Sequence, residues 1–566
     1  MAGVVRSIPF CCEWLADGIG ESYRDWKGEG LIQAASRVFI ESPTGTGKTT
    51  FILRKLCHRA AEEGRRILYL GNRVALKEQM EKEMIREYPG SEEQRKDYFL
   101  HELFPTYYVP SADGEREAEI VFLNYQEFLG IQDTGLLNSP DYVVMDEAHF
   151  FLEDSLFNPA TTYILETLVR DYSKAVLIFL SATLKSSREV LNKVLDRFQP
   201  VRAGSVPLAP PQIFWYQNEL RKGSYHTQFW QEPEEIVQEI CRSKDSGEKW
   251  LVFTSSKQNG GQMSRELAAH GIRAGVLNAG GKKSALWRKL VQESRFEEQV
   301  LIATKVLDNG VNITDPAVKH IVLPFCAEED FLQMLGRRRM RAGEIVNLYV
   351  MTPTVQMIDS QLHRVLEMYG AIKRVRSCQR DRGKMTKLMK ELWRKGDQHI
   401  NGLFYLDDAR NLCPNELAVE KLRQRREFLE ELKRSCLDVD YYPHCVLGWM
   451  QGRGGQKVCR LGLGSQSSLA EFLQRYLNRP VPSLNAVGED EVNSQLERFY
   501  QGFQWCYKTY CYERYAADRT KLRELLRIRK GKDQRKATIN HSLKALGLPY
   551  EVKKERNCWV LRKKDT

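Results

Sequence analysis

The amino-acid sequence predicts an α/β protein: two tandem lobes, each built on a parallel sheet, then a mostly helical basic region ending in a helix-and-hairpin module. Three observations carry this expectation. Short apolar runs rich in β-branched residues recur from about residue 37 to 351, with helical or polar segments between them. Their hydrophobicity is continuous rather than alternating, as in strands buried on both faces of a parallel sheet. Beyond Pro353 the pattern changes to apolar residues at helical spacing among many Arg and Lys.

Taken in order, residues 1–35 form an N-terminal segment, and 36–205 a first lobe with apolar runs at 38–40, 67–70, 120–123, 142–145 and 176–180. The proline-rich stretch from Pro207 to Pro211 marks a connector, 206–224. A second lobe, 225–355, has runs at 250–253, 276–277, 300–303, 321–323 and 346–350. The segments between runs are long enough for crossover helices. An accessory domain follows over 356–510, where Ile358, Leu362, Val365, Tyr369 and Ile372 keep helical spacing, a stripe read as packing between helices. Residues 511–566 form a basic module: from Arg519 onward 16 Lys and Arg stand against 5 Asp and Glu. Within it 538–546 outline a helix, and 550–552 with 558–561 a hairpin, the outline of a winged helix.

Hydrophobic residues make up 42% and charged residues 28% of the chain, the balance of a globular protein rather than a disordered one. A formal net charge of +11 suits a polyanionic partner. The 13 cysteines are scattered and no C-x-x-C occurs, which argues against a zinc knuckle or redox motif and for a reducing compartment. The first residues hold no sustained apolar stretch after a basic start, so no signal peptide is expected. No window approaches the ~18 apolar residues that span a bilayer. The expectation is a cytoplasmic protein without membrane contact.

Ser42-Pro43-Thr44-Gly45-Thr46-Gly47-Lys48-Thr49 follows the run at 38–40 and precedes a helical pattern through Phe51, Leu53 and Leu56. Strand, glycine loop and helix are what a phosphate-binding loop requires. Gly45 and Gly47 let backbone N–H groups turn around phosphates, and the helix N-terminus adds its positive end. Lys48 is placed to reach β- and γ-phosphates, and the Thr49 hydroxyl to bind Mg²⁺. The strict pattern begins with Gly where this chain has Ser42.

Asp146-Glu147-Ala148-His149 lies at the end of the run at 142–145. A carboxylate at the C-terminal end of a buried strand points into the crevice where open α/β sheets bind ligands. Asp146 is therefore expected to hold Mg²⁺, and Glu147 to position and deprotonate an attacking water. Alone, these four residues would read as an N-cap followed by first-turn acids.

Together the two segments resemble the DEAH-box branch of the superfamily-two helicases, over roughly residues 38–351. The resemblance implies RecA-like lobes with ATP and Mg²⁺ in the cleft between them. Ser181-Ala182-Thr183 resembles the motif that couples hydrolysis to nucleic-acid binding, and His149 is assigned to the same coupling. Asn72-Arg73 and Tyr125-Gln126 are similar to strand-contacting segments of the first lobe, and Thr254-Ser255 and Thr304 to those of the second. Gly310 and Asn312 resemble a nucleotide-contacting motif in which the family often has an acid at the latter position. Residues 333–341 resemble the motif that supplies arginine fingers, cations fixed where transition-state charge gathers. Gln333, Gly336 and Arg337 fall in register. Met340 stands where the last finger is commonest, so Arg339 or Arg341 takes that part, with Arg339 favoured. Arg338 and Arg341 also read as solvated surface charges. Tyr23 and Trp26, ahead of the phosphate loop, read as core aromatics before nucleotide-stacking ones. Between that loop and Asp146 stands only Cys57, too few ligands for an iron–sulfur helicase.

The resemblance implies an ATP-dependent motor on nucleic acid. Phosphate contacts serve DNA and RNA alike, but the last motif and the basic tail look more like DNA-acting branches, so DNA is expected before RNA. An RNA helicase, an ATPase that translocates without unwinding, and an ATP-gated clamp within a larger assembly are the alternatives. Protein partners are expected at the C-terminal region.

Overall fold

The computed structural model describes residues 5–564 apart from 28–35, 44, 73, 90, 92–105, 132–136, 186, 199–209, 221–222, 232, 279–283, 305–306, 308–310, 380, 395–401, 408–410, 436–439, 456–457, 462–468, 483–495, 497–498, 501, 505, 509, 512–513, 516–517 and 527–534. The apolar runs all lie in strands. The first sheet holds β1 (Val5–Phe10), β2 (Arg37–Glu41), β3 (Arg66–Gly71), β4 (Thr106–Pro110), β5 (Glu117–Asn124), β6 (Tyr142–Met145), β7 (Val176–Ser181) and β8 (Ile213–Asn218). Their order is β1-β8-β2-β7-β6-β3-β5-β4, parallel apart from β4 on β5. Neighbouring residues of one strand serve opposite cores: Val38 and Ile40 pack with Phe51 and Phe122, whereas Phe39 packs with Met145 and Phe179. Burial on both faces is why the runs read as continuous.

β8 corrects the expected connector. Residues 213–218 return to the first sheet and insert between β1 and β2. Only residues 219–223 then separate this strand from β9 (Ser224–Trp230). The second sheet continues with β10 (Lys249–Phe253), β11 (Ala274–Leu277), β12 (Val300–Ala303), β13 (Val318–Leu323) and β14 (Ile345–Met351). It is parallel throughout, in the order β11-β12-β10-β13-β14-β9.

Five helices bear on the site and its surroundings: α1 (Phe150–Glu153) in the first lobe, α2 (Glu328–Gly336) in the second, and α3 (Val355–Cys378), α4 (Glu416–Arg434) and α5 (Tyr441–Trp449) in the accessory domain. Among the described residues that domain shares its apolar core with the lobes. Ile358, Leu362, Leu422, Leu429 and Val446 join Phe253, Leu301 and Phe331 in one apolar cluster with the second lobe, while Leu417 enters a cluster of the first.

Polar contacts reinforce the docking. Buried Asn415 caps α4, its Oδ1 accepting from Ala418 N. The same oxygen accepts from Thr162 Oγ1 at 2.6 Å. Its Nδ2 donates to Ser155 O, Asn158 O and Thr161 Oγ1 at 3.0–3.2 Å, all in the first lobe. Six residues further, the Lys421 ammonium bridges Glu153 of α1 and Glu329 of α2. Both lobes and the accessory domain meet at that cation.

A hairpin, β15 (Phe404–Leu406) and β16 (Leu412–Pro414), precedes α4. The C-terminal module holds β17 (Pro480–Pro482), β18 (Tyr550–Glu555) and β19 (Cys558–Lys563) in the order β17-β19-β18, with α6 (Arg535–Ala545) beside them. Its apolar cluster runs from Leu469 to Leu561. Leu469, Phe472, Phe499, Phe503 and Tyr507 thus belong to this module's cluster, ahead of the boundary expected at 511.

Candidate nucleotide cleft and strand-contacting residues

The phosphate loop leaves β2 at Glu41 and enters a helix at Lys48. Gly45 and Gly47 have φ of +80° and +77°, a region open to glycine without strain. A Cβ on Gly45 would meet nothing within 4 Å, so it is the positive φ and not crowding that calls for glycine there. Ser42, standing where the strict pattern has Gly, is buried and ties the loop inward. Its Oγ accepts from Asn218 Nδ2 at 3.0 Å and lies 2.7 Å from Thr46 Oγ1, which donates to Pro43 O. Ser42 N donates to Ser181 O at 3.0 Å, joining the loop to the Ser-Ala-Thr segment. Lys48 Nζ donates to the carbonyls of Ser42 and Pro43 at 3.0 and 3.4 Å. Burial holds this ammonium below the ordinary lysine value, although Glu147 and Asp146 pull it back up. Thr49 stands half-buried at the helix start.

Asp146 and Glu147 follow β6. Asp146 Oδ2 accepts from Tyr69 OH at 2.5 Å, and Oδ1 from Glu147 N at 2.9 Å. Burial and the charge of Glu147 push the Asp146 carboxyl up. Burial also works against ionised Glu147, but His149, Lys48 and Arg337 outweigh it and hold this carboxyl below the usual range. Glu147 has φ +50°, a conformation costing a non-glycine residue roughly 1–3 kcal/mol and concentrated at functional sites. Its carboxylate lies 3.3 Å from His149 Nδ1, which is itself 2.8 Å from Ser181 Oγ. The acid pair, His149 and the Ser-Ala-Thr segment are therefore one hydrogen-bonded unit.

The second lobe faces this unit across a cleft lined by Glu147, His149, Ala182, Thr183, Gln333, Arg337 and Arg339. Gln333 Nε2, Arg337 Nε and Arg339 Nη1 are buried with no hydrogen-bond partner among the described residues. A buried donor left unpaired costs about 1–3 kcal/mol, so three at one cleft mark a place shaped for an acceptor-rich, anionic ligand. Arg339 is steadied by donating from Nη2 to Asn312 Oδ1 at 2.5 Å; burial and neighbouring Arg337 bring it down to about 10. Asn312 is thus engaged by an arginine of its own lobe. Arg338 is not solvated: it is buried, its Nε donates to Val318 O, and it pairs with Glu344. Arg341 is exposed.

The remaining sequence candidates fall elsewhere. Thr44, Arg73 and Gly310 lie outside the described residues. Tyr125 is corrected as a strand contact: its ring is fully buried, stacks on Phe150, and donates from its hydroxyl to Asp146 O at 3.1 Å. It supports the acid pair from below. Asn72 and exposed Gln126 follow the paired strands β3 and β5. Thr254, Ser255 and Thr304 open onto a second cavity, apart from the cleft. Tyr23 and Trp26 are core residues, with Trp26 Nε1 donating to Tyr216 OH.

Sequence reasoning missed Tyr69, Asn218 and Trp14. The Trp14 ring packs 3.1 Å from where a Gly47 Cβ would stand, and Leu15 N donates to Thr46 O at 2.8 Å. No motif announces these residues, because each reaches the site from a distant part of the chain.

The residues fit a nucleoside triphosphate: a loop of left-handed glycines, a buried lysine, and donors without a partner among the described residues opposite two acids. Thr49 and Asp146 offer the oxygen donors that Mg²⁺ prefers. Fold and site together define a phosphate-loop protein of two RecA-like lobes.

Residues 29–191 match the DEAD/DEAH box helicase family and residues 231–343 the helicase conserved C-terminal domain. In these two stretches the chain is similar to those helicase families. It is 23% identical over 267 residues to the ATP-dependent RNA helicase DBP3 of Cryptococcus neoformans, a match spanning 46% of this chain and 44% of that one. The chain therefore spans less than half the length of this curated relative. Saccharomyces cerevisiae Dbp5 bound to RNA and ADP BeF3 is similar at 17% identity and a TM-score of 0.38, covering 57% of this chain and 81% of Dbp5. Mycobacterium smegmatis helicase Lhr bound to ssDNA and AMP-PNP is similar at 17% identity and a TM-score of 0.37, covering 59% and 46%. At these scores the structural likenesses carry no further argument. Among the described residues no helix is long and apolar enough to cross a membrane.

Proposed function

We propose that the chain is an ATP-dependent helicase or translocase that closes its two lobes on ATP and moves along nucleic acid, with DNA as its first substrate. The observation that carries this reading is the set of buried donors of Gln333, Arg337 and Arg339, without a partner among the described residues, facing Glu147 across the cleft. Lys48 gives up little by turning to a phosphate, since its present partners are two carbonyls of its own loop. Glu147, held ionised, orients the attacking water and takes its proton. Arg337 and Arg339 approach the γ-phosphate, where charge develops, and their arrival depends on lobe closure. Thr49 and Asp146 would hold Mg²⁺, which when bound would supply neutralisation of phosphate charge. The path from Glu147 through His149 to Ser181 ties hydrolysis to the shape of the first lobe. Asn72, Gln126, Thr254, Ser255 and Thr304 are the proposed strand contacts.

DNA is favoured by the helix and three-stranded sheet of the basic C-terminal module, a winged-helix outline. RNA is the second reading, favoured by the match to a relative named as an RNA helicase. The test is steady-state ATP hydrolysis with no polymer, single-stranded DNA, duplex DNA or RNA, beside Glu147→Gln. Stimulation by DNA that is lost in the variant supports the first reading. Stimulation by RNA alone replaces it with the second. Nucleotide binding without turnover under every condition overturns both and leaves an ATP-gated clamp.

A further inference from the structure

The nucleotide cleft has a third wall. Besides the two lobes it is lined by Trp449, Gln451 and Arg453, which belong to the accessory domain. The sequence placed every nucleotide contact within residues 42–339 and gave this region none. Trp449 ends α5 and packs on Phe331 of α2, the helix that carries Gln333, with 5.6 Å between ring centroids. Past it the chain turns sharply, Gln451 and Gly452 having φ of +50° and +84°. It then runs along β9, at the edge of the second sheet. Tyr225 N donates to Arg453 O at 2.7 Å, Phe229 N to Cys459 O at 2.7 Å, and Leu461 N to Phe229 O at 2.8 Å. Gly454 lets it lie this close, since a Cβ there would stand 2.0 Å from Met450 Cε and 3.0 Å from Thr227 Oγ1.

Arg453 is thus fixed by its backbone while its charge stays uncommitted. The half-buried side chain donates from Nε to Met450 O at 3.3 Å, and the guanidinium stands over the Tyr225 ring, 5.6 Å from the centroid. That is within cation–π range. Of the four arginines in the lining, Arg337, Arg338, Arg339 and Arg453, only Arg338 pairs with an acid among the described residues, its partner being Glu344. Glu147, an acid of the same lining, lies with His149. Three cations without a counter-charge at one cleft match a chain of phosphates, whose oxygens a guanidinium fork meets with paired hydrogen bonds.

We propose that Arg453 is a third arginine for the triphosphate, supplied by the accessory domain, so that bound ATP engages all three parts of the chain. The proposal rests on the ATP reading above and adds to it a binding residue from outside the two lobes. Its part differs from that of Arg337 and Arg339. The Arg453 segment is tied to β9, which begins directly after the five residues that join the lobes. Opening and closing of the lobes displaces that corner least, so Arg453 stays with the nucleotide before and during hydrolysis. A contact made equally in ground and transition states lowers KM and leaves kcat alone.

The test is steady-state hydrolysis over a series of MgATP concentrations, with thermal unfolding in the absence and presence of MgATP, for the full chain, Arg453→Met and Arg453→Lys. Met keeps an apolar stem over Tyr225 and removes the charge. The expected result in Arg453→Met is a KM for ATP raised about tenfold or more, the scale of one charge-assisted hydrogen bond. Its kcat should stay within about twofold of wild type. Without nucleotide it should unfold at the wild-type temperature, and MgATP should raise that temperature less. Arg453→Lys should recover most of the KM. An unchanged KM and unchanged stabilisation by MgATP in Arg453→Met, with wild type turning over normally, overturns the third arginine alone. Unfolding temperatures lowered without nucleotide in both variants, or a kcat that falls while KM holds, make Arg453 a packing residue on Tyr225 and overturn its binding role. Wild type that is neither stabilised by MgATP nor able to hydrolyse it overturns the ATP reading itself.

Discussion

Two buried lysines, Lys48 and Lys421, each face two carboxylates, and they are used in opposite ways. Lys421 touches both of its acids, Glu153 and Glu329, and these charges lift it above the ordinary lysine value despite burial. Lys48 lies under the influence of Asp146 and Glu147, yet its hydrogen bonds go to loop carbonyls, and burial prevails to lower it. The acids near Lys48 are held by other groups: Asp146 by Tyr69, Glu147 by His149. A lysine that closes its ion pairs is a fastener. One kept near acids but out of their grip retains its charge for an incoming anion.

The largest expected effects fall on the cleft. Arg337→Ala should lower ATP turnover by about 10³-fold or more, the range seen when an arginine finger is removed. Lys48→Ala should bring hydrolysis near background while thermal unfolding stays at or above wild type, because a costly buried charge is removed. Full turnover in Lys48→Ala would end its assignment.

Next comes the fastener. Lys421→Ala leaves Glu153 and Glu329 buried without their cation, a loss of about 3–5 kcal/mol in stability. Glu153→Gln with Glu329→Gln in the same background should recover much of it. Denaturant unfolding reads both, and an unchanged midpoint in Lys421→Ala would make the cluster incidental. Asn415→Ala should cost less, about 1–3 kcal/mol, through the first-lobe carbonyls and hydroxyls it leaves unpaired.

The smallest effect is in alkaline pH. Lys421 is raised above 10.5, so its contribution is complete below 10.5 and fades as pH climbs past it. Lys48 is lowered from 10.5, so below that pH the unfolded chain binds more protons and stability rises with pH. The stability gap between wild type and Lys421→Met should therefore narrow above 10.5, while wild type gains on Lys48→Met as pH approaches 10.5 from below. Parallel curves would erase the distinction between the two lysines.

Legibility in the sequence divides along the same line, between groups satisfied locally and groups satisfied across the fold. Continuous apolar runs mark every strand interior to its sheet except β8, because a strand covered on both faces has few polar positions. The edge strands β1, β4 and β9 escape notice: β1 is largely exposed, with Val5 44% open to solvent. β8 sits just past a proline-rich stretch that reads as a connector. The phosphate loop and the acid pair are legible because local spacing defines them. Tyr125 is misplaced by sequence because its neighbours resemble a contact segment, while only the fold shows its ring stacked on Phe150 and its hydroxyl on the Asp146 carbonyl. The accessory domain reads as separate because helical stripes do not say what they pack against; here the partners are Phe253 and Leu301 of the second lobe. Lys421 and Asn415 are invisible for a related reason, since their partners stand on other domains.

The return of β8 to the first sheet also sets a leash. Between Asn218 and Ser224 the chain has five residues, which fully extended reach roughly 20 Å. Gly223, with φ +68°, shortens even that: a Cβ there would stand 2.8 Å from Glu344 O, so the end of the leash is pressed against the second lobe. Two bodies joined this closely at one corner separate by swinging about it. The corner stays nearly still, and travel of one lobe against the other grows with distance from it.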